Sequence, residues 1–230
     1  MIGQTRLQRL RTDVCAIPDK RGRQELVGAL QHYGARAHAG AEALEATANS
    51  ERWVRVVFPN LSTASHAHRR KASSTAAKLA DTVRAGAGAV NEAGVSAAFA
   101  SLGDHITSAQ KALRDPWTRQ MEQRLKGFEA LLGAAETAGL PGRHALAAQI
   151  TRLRVQARMP PADEETARGV ADAFTELAAV VGRLGLGGAA GEFLVGAAGS
   201  HGDPRALADP EVRAFLDRHS LWEVLVVSFR

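Results

Sequence analysis

Cysteine is almost missing from this chain. Cys15 is the single one in 230 residues, which excludes an internal disulfide and any zinc site built from several thiolates. A reducing cytoplasm is the expected compartment, with Cys15 read as a small buried residue. Aromatic residues make up only 5%, so base-stacking platforms of the kind single-strand binders use are scarce. Long apolar runs are missing too: Leu221 to Val227 is the longest, it is broken by Glu223, and it is far too short to span a bilayer. Residues 1–12 carry Arg6, Arg9 and Arg11 without an apolar core, so neither a secretory signal nor a membrane role is expected. No nucleophile elbow of the G-x-S-x-G type and no DNA-recognition module is legible, and there is no internal repeat.

What the chain does have is alanine, leucine and valine, within a hydrophobic share of 45%. Alanine favours helix and close helix packing. Apolar residues fall at alternating spacings of four and three in successive runs. Val95, Phe99, Leu102, Ile106, Ala109 and Leu113 form one run, and Met121, Leu125, Phe128, Leu132 and Ala135 the next. Leu146, Ile150, Leu153 and Ala157 make a third, and Val170, Phe174, Leu177, Val181 and Leu184 a fourth. Each run is a stripe along one helix, and each stripe needs another helix to cover it. The spacing therefore predicts an all-α, elongated antiparallel bundle.

The breaks agree with that scheme. Asp115-Pro116 reads as a cap and first position of a new helix. Gly139-Leu140-Pro141-Gly142 reads as a stop and turn, as does Pro160-Pro161, after which Asp163, Glu164 and Glu165 suit a helix N-terminus. Residues 22–48 and 62–92 read as two further helices, the first with Leu26, Leu30, Tyr33, Ala37 and Leu44, the second with Ala76, Leu79, Val83 and Val90. Trp53 to Phe58 is bulky and β-branched and reads as either a short strand or a helix end.

The sequence thus divides into a bundle over 1–184 and an acidic C-terminal segment over 185–230, packed on it as one domain. Short helices are expected near 192–198 and 210–219. Leu221 to Phe229 is the best strand candidate, and a lone strand needs a partner. Residues 53–58 would serve, giving a small C-terminal β element; a strand of another protein is the alternative.

Charge is uneven along the chain. Residues 1–160 hold 23 Lys/Arg against 13 Asp/Glu, whereas 161–230 hold 6 against 11. His66 and His68 precede Arg69, Arg70 and Lys71, the densest cationic cluster; Arg143, Arg152, Arg154 and Arg158 form a second set, and Arg119, Arg124 and Lys126 a third. Arg69, Arg70, Lys71, Arg152, Arg154 and Arg158 are the candidate contacts for nucleic acid or an acidic partner. Glu122, Glu129 and Glu136 recur every seven residues, as on a solvated or salt-bridging face.

Gly185 to Ala190 matches the G-x-G-x-x-A dinucleotide pattern, but that motif joins a strand to a helix. Here a helix precedes it, so an interhelix turn is expected. Asp104-His105 and Ser200-His201 with Asp203 hold catalytic residue types as mere sequence neighbours, whereas a triad is a spatial arrangement. No cofactor, metal or catalytic residue is assigned.

Trp53, Trp117 and Trp222 are the large anchors. An exposed tryptophan would mark a binding surface, and Trp222 with Val224 and Val226 is the candidate protein interface. The expected role is a non-enzymatic adaptor or assembly subunit in a bacterial cytoplasm, meeting a protein partner or its own copy. Antiviral-defence and DNA-processing assemblies are settings that use such subunits, though no residue assigns one. Nucleic-acid binding through 1–160 is the alternative.

Overall fold

The computed structural model describes residues 20–84, 92–199 and 202–222, with side chains over 31–81, 94–199 and 202–222. Seven α-helices occupy these residues: α1 Lys20–Val57, α2 Ser65–Arg84, α3 Glu92–Thr137, α4 Arg143–Gln156, α5 Glu164–Arg183, α6 Gly188–Ala198 and α7 Pro210–Arg218, with a 3-10 turn at Pro204–Ala208. Among the described residues no strand forms. Cys15, Val224 and Val226 lie outside them, as does all of the proposed strand after Trp222.

The chain forms two compact units, Met1–Asn49 with Thr63–Leu113, and Ser50–Ser62 with Arg114–Arg230. The division does not fall at residue 184. Segments after that residue pack on those before it: Gly191 of α6 lies against Leu131 of α3, and His219 Nε2 reaches the Leu184 carbonyl.

In the first unit Ala72, Leu79, Val95, Phe99, Leu102 and Ile106 form the buried cluster, flanked by Tyr33, Ala43, Leu44, Ala76 and Ala98. Tyr33 stacks on Phe99 at 5.3 Å with the rings 5° from parallel. The Cβ that Gly40 lacks would sit 3.5 Å from methyl carbons of both Leu102 and Ile106. Contacts that advance together along both helices mean that α1 and α3 run in the same direction here, with α2 as the antiparallel return that a short connection demands.

The proposed break at Asp115-Pro116 does not occur. Pro116 lies inside α3, which continues to Thr137. An interior proline forfeits a backbone hydrogen bond and crowds the preceding turn, a cost of about 3 kcal/mol. Burial outweighs it: Leu113, Trp117, Met121 and Leu125 follow at intervals of four and are all buried. Trp117 joins the first two apolar stripes into one, so four stripes lie on three helices.

Residues 53–57 form the last turn and a half of α1. Their backbone groups are used within the helix, so they cannot pair as a strand with the C-terminus. The helical alternative holds because Val54, Val57 and Phe58 recur at helical spacing and are buried.

Three helix ends in the second unit close in the same way. After α3, the Leu140 N–H bonds the Ala135 carbonyl at 2.9 Å and the Gly139 N–H bonds Glu136 at 3.1 Å. After α5, Leu186 bonds Val181 at 3.0 Å and Gly185 bonds Gly182 at 3.0 Å; after α7, Leu221 bonds Leu216 at 3.0 Å and Ser220 bonds Asp217 at 3.3 Å. This is the Schellman arrangement, in which a left-handed residue reverses the chain and the next one packs back on the helix. Gly139, Gly185 and Ser220 have φ of 66°, 68° and 53°, and Leu140, Leu186 and Leu221 are each buried.

Ser220 is the one non-glycine among the described residues at positive φ. A Cβ is penalised there, so Ser220→Gly is expected to stabilise the chain by about 0.5 to 1 kcal/mol. An upward shift of the thermal unfolding midpoint would verify it, and an unchanged or lower midpoint would refute it.

Asp163 caps α5, its Oδ1 accepting the Thr166 N–H at 2.8 Å. That backbone hydrogen bond, with a second from the Thr166 side chain, holds the carboxyl below its ordinary range against a small opposing desolvation. A depressed carboxylate stabilises the fold above its unfolded pKa of roughly 3.9, and the contribution fades as pH falls through the lower folded value. Stability of the wild type should therefore drop more steeply than that of Asp163→Asn below about pH 4 in acid unfolding followed by circular dichroism; coincident curves would remove Asp163 as a source.

Candidate partner-binding surface

The chosen cations fall in both units. In the first unit, Ala72 turns α2 inward and leaves Arg70 and Lys71 exposed, with Arg69 and His68 half-buried and His66 exposed. In the second unit, the arginines of α4 reach to opposite sides. Arg154 Nε donates to Glu129 Oε1 of α3 at 2.9 Å, while Arg152 Nη1 lies 3.9 Å from Glu176 Oε2 of α5. Gln149 Nε2 donates to the same Glu176 oxygen at 3.0 Å. Glu129 of the seven-residue glutamate series thus bridges helices. Arg143 bonds the Leu140 carbonyl at 3.2 Å, at the turn into its own helix.

Arg124, from the third cationic set, is spent on aromatic rings. Its guanidinium carbon stands 4.3 Å from the Phe174 centroid and 5.8 Å from that of Phe58. Phe58 in turn meets Trp117 at 5.4 Å. A guanidinium over a ring face contributes about 0.5 to 1 kcal/mol where water remains, and here it roofs a buried cluster. Trp53 is half-buried beneath Arg52, whose guanidinium carbon is 4.6 Å from its ring.

Trp222 is 46% exposed and its Nε1 donates to Asp217 Oδ1 at 2.7 Å. Of the proposed interface, it alone lies within the described residues. His219, beside it in sequence, donates from Nε2 to the Leu184 carbonyl at 3.2 Å and lies 4.8 Å from the Phe215 ring.

The glycine-rich stretch joins helix to helix. Gly185 belongs to the end of α5 and Gly187 is the N-cap of α6, the two helices meeting at 84°. A carboxylate stands against this turn, with Glu211 Oε1 2.8 Å from where a Gly188 Cβ would be. Asp203 and Asp209 act as caps, accepting from the Arg205 N–H at 2.9 Å and the Glu211 N–H at 2.7 Å. Asp104 is exposed and His105 half-buried on α3, while Ser200 and His201 lie outside the described residues. Among the described residues no three His, Cys, Asp or Glu side chains are placed to hold a metal ion. Nor is any single helix there long and apolar enough to cross a membrane.

Sequence reasoning missed one surface. Val155, in the last turn of α4, is 62% exposed, and Met159, three residues past the end of that helix, is 65% exposed. The buried stripe of that helix is Leu146, Ile150 and Leu153, and Val155 is two residues on from it, about 200° round the axis. Apolar residues out of phase with a core stripe were the available signal. Val56, 49% exposed, is displaced in the same way from Val54 and Val57.

Comparison of the chain with protein-family models, with curated proteins and with solved structures gave no match.

Proposed function

We infer that this chain works as a non-enzymatic adaptor or assembly subunit, binding other proteins through exposed apolar side chains on a helical scaffold in a bacterial cytoplasm. One observation carries the reading. All four large apolar side chains that stand exposed among the described residues, Val56, Val155, Met159 and Trp222, belong to the second unit. That unit holds 16 Lys/Arg and 16 Asp/Glu, so no net charge keeps another protein surface away. Its interior is filled by Trp117, Met121, Leu125, Leu140, Leu146 and Ile150, all at most 2% exposed. Exposed apolar groups on a rigid, neutral body are the usual core of a protein interface.

Affinity purification of the tagged full chain from its native host tests this. A stoichiometric protein complex that persists after nuclease treatment and in high salt is the expected result; recovery of the chain alone under mild conditions would overturn it. Antiviral-defence or DNA-processing assemblies remain the proposed settings, and the identity of the co-purified proteins decides between them.

The second reading, nucleic-acid binding, is favoured by the charge of the first unit. It holds 13 Lys/Arg against 8 Asp/Glu and so carries the whole net charge of +5. Each phosphate neutralised contributes a slope of roughly 0.9 in log affinity against log salt. Contacts from Arg69, Arg70 and Lys71 would make duplex binding fall about 40-fold between 50 and 200 mM salt. Charge reversal at Arg70 and Lys71 should flatten that dependence; binding indifferent to salt would sink the reading.

A further inference from the structure

We propose that the outer ridge at the end of α4, centred on Val155 and Met159 and edged by Arg152, Arg154 and Arg158, docks an acidic amphipathic helix of a partner protein. The proposal rests on the adaptor reading above and names its contact.

Geometry makes the ridge. Val155 lies in the last turn of α4, and Met159 lies three residues beyond its end, in the bend before Pro160-Pro161. They are the two most exposed large apolar residues among those described. Behind them Leu153 and Ala157 are buried, which fixes the direction in which the exposed pair points.

The ridge is also held still. Trp117 Nε1 donates to the Gln156 carbonyl at 3.4 Å and Thr118 Oγ1 to the Ala157 carbonyl at 3.1 Å. Both donors come from α3, and the acceptors are the last residue of α4 and its C-cap, where carbonyls lack partners within the helix. A fixed backbone lowers the ordering cost that a partner must overcome. Methionine adds adaptability at the contact itself, because its unbranched thioether repacks against differing shapes.

Charge selects the occupant. From Arg143 to Ala162 the chain contains no Asp or Glu. Arg154 is 61% exposed despite its pairing with Glu129, and Arg152 is 55% exposed with its carboxylate 3.9 Å away. Arg158 is exposed with no carboxylate bonded to it among the described residues. Cations around two apolar side chains complement carboxylates around two apolar anchors. A phosphate backbone would satisfy the arginines but leave Val155 and Met159 facing water. An amphipathic helix presents anchors at intervals of three or four with acids beside them.

Methyl NMR on the full chain tests this, because it has only three methionines. The probe is a synthetic helical peptide of about five turns carrying leucines along one face and glutamates beside them, with a second peptide in which lysine replaces every glutamate. On titration with the acidic peptide the Met159 methyl is expected to shift saturably while that of Met121, fully buried, stays in place. Val155→Ser with Met159→Ser should weaken binding at least tenfold by fluorescence polarisation, with an unchanged circular dichroism spectrum. A Met159 resonance that does not move overturns the proposal, as does equal binding of the lysine peptide. So does a Met159 shift with protein concentration alone, which would make a second copy the occupant. A native-host complex that survives Val155→Asp with Met159→Asp removes the ridge and keeps the adaptor reading. Peptide docking without any native complex removes the adaptor reading instead.

Discussion

Trp117→Ala is expected to destabilise the second unit by about 4 kcal/mol, the usual cost of deleting a fully enclosed large aromatic side chain. Trp117 is 0% exposed. Its ring meets Phe58 at 5.4 Å and its Nε1 supports the Gln156 carbonyl. Truncation would therefore leave a cavity between the ends of α1 and α4 and withdraw a donor from the last turn of α4. The indole also offsets Pro116, its neighbour, which continues the helix without a hydrogen bond of its own. Once the packing is gone, the proline penalty stands unopposed and local fraying of α3 should follow. Trp53→Ala is the control. Trp53 is half-buried beneath Arg52, and its loss is expected to cost less than half as much, in proportion to the smaller area withdrawn from water. Urea unfolding followed by circular dichroism measures both. Equal losses would mean that burial at Trp117 does not hold the unit together.

Trp117 also shows how far the helices could be read from spacing. The runs ending at Leu113 and beginning at Met121 are each legible, and so is the proline between them. What decides against a break is that residues 113, 117 and 121 are in register, so that stopping the helix would expose Trp117. Local turn chemistry at Asp115-Pro116 and the long-range stripe disagreed, and the stripe won because several buried side chains outweigh one missing hydrogen bond. Where the two agreed, as at Gly139, Asp163, Gly185 and Asp209, the boundaries were legible to within a residue or two. At 53–58 local propensity favoured strand as much as helix, and the burial of Val54, Val57 and Phe58 resolved it.

Charge was less legible than hydropathy. A cation in the sequence carries no sign of whether an acid will stand beside it. Arg154 pairs with Glu129, Arg124 covers Phe174 and Phe58, and Arg158 projects into solvent. The residues that divide these fates come from other helices, far along the chain. The apolar ridge was legible in principle, because Val155 is out of phase with the stripe of its own helix. Counting apolar residues without tracking phase hides such positions.

Phase also governs the glycines, and the second large prediction turns on it. Gly191→Ala is expected to destabilise the chain by about 2 kcal/mol, although alanine is the better helix former by about 1 kcal/mol. Gly191 lies in the first half of α6 and is buried. A Cβ there would fall on the Leu186 carbonyl oxygen, 2.9 Å from the carbonyl carbon and 3.1 Å from Leu131 Cδ2. Leu131 could rotate away, but the carbonyl cannot, because Leu186 is pinned by its bond to Val181 and by burial of its own side chain. Relief would require opening the turn between α5 and α6 or lifting α6 from α3. Gly133, in α3, is the opposite case, since a Cβ added there would meet nothing within 4 Å. Gly133→Ala should therefore gain the helix propensity and stabilise by about 0.5 to 1 kcal/mol. Thermal unfolding of the two variants beside the wild type gives the signs directly. If both rise, the approach of α6 to the preceding turn is not close enough to require glycine; if Gly191→Ala alone falls, the missing side chain is what lets the two helices meet at that corner.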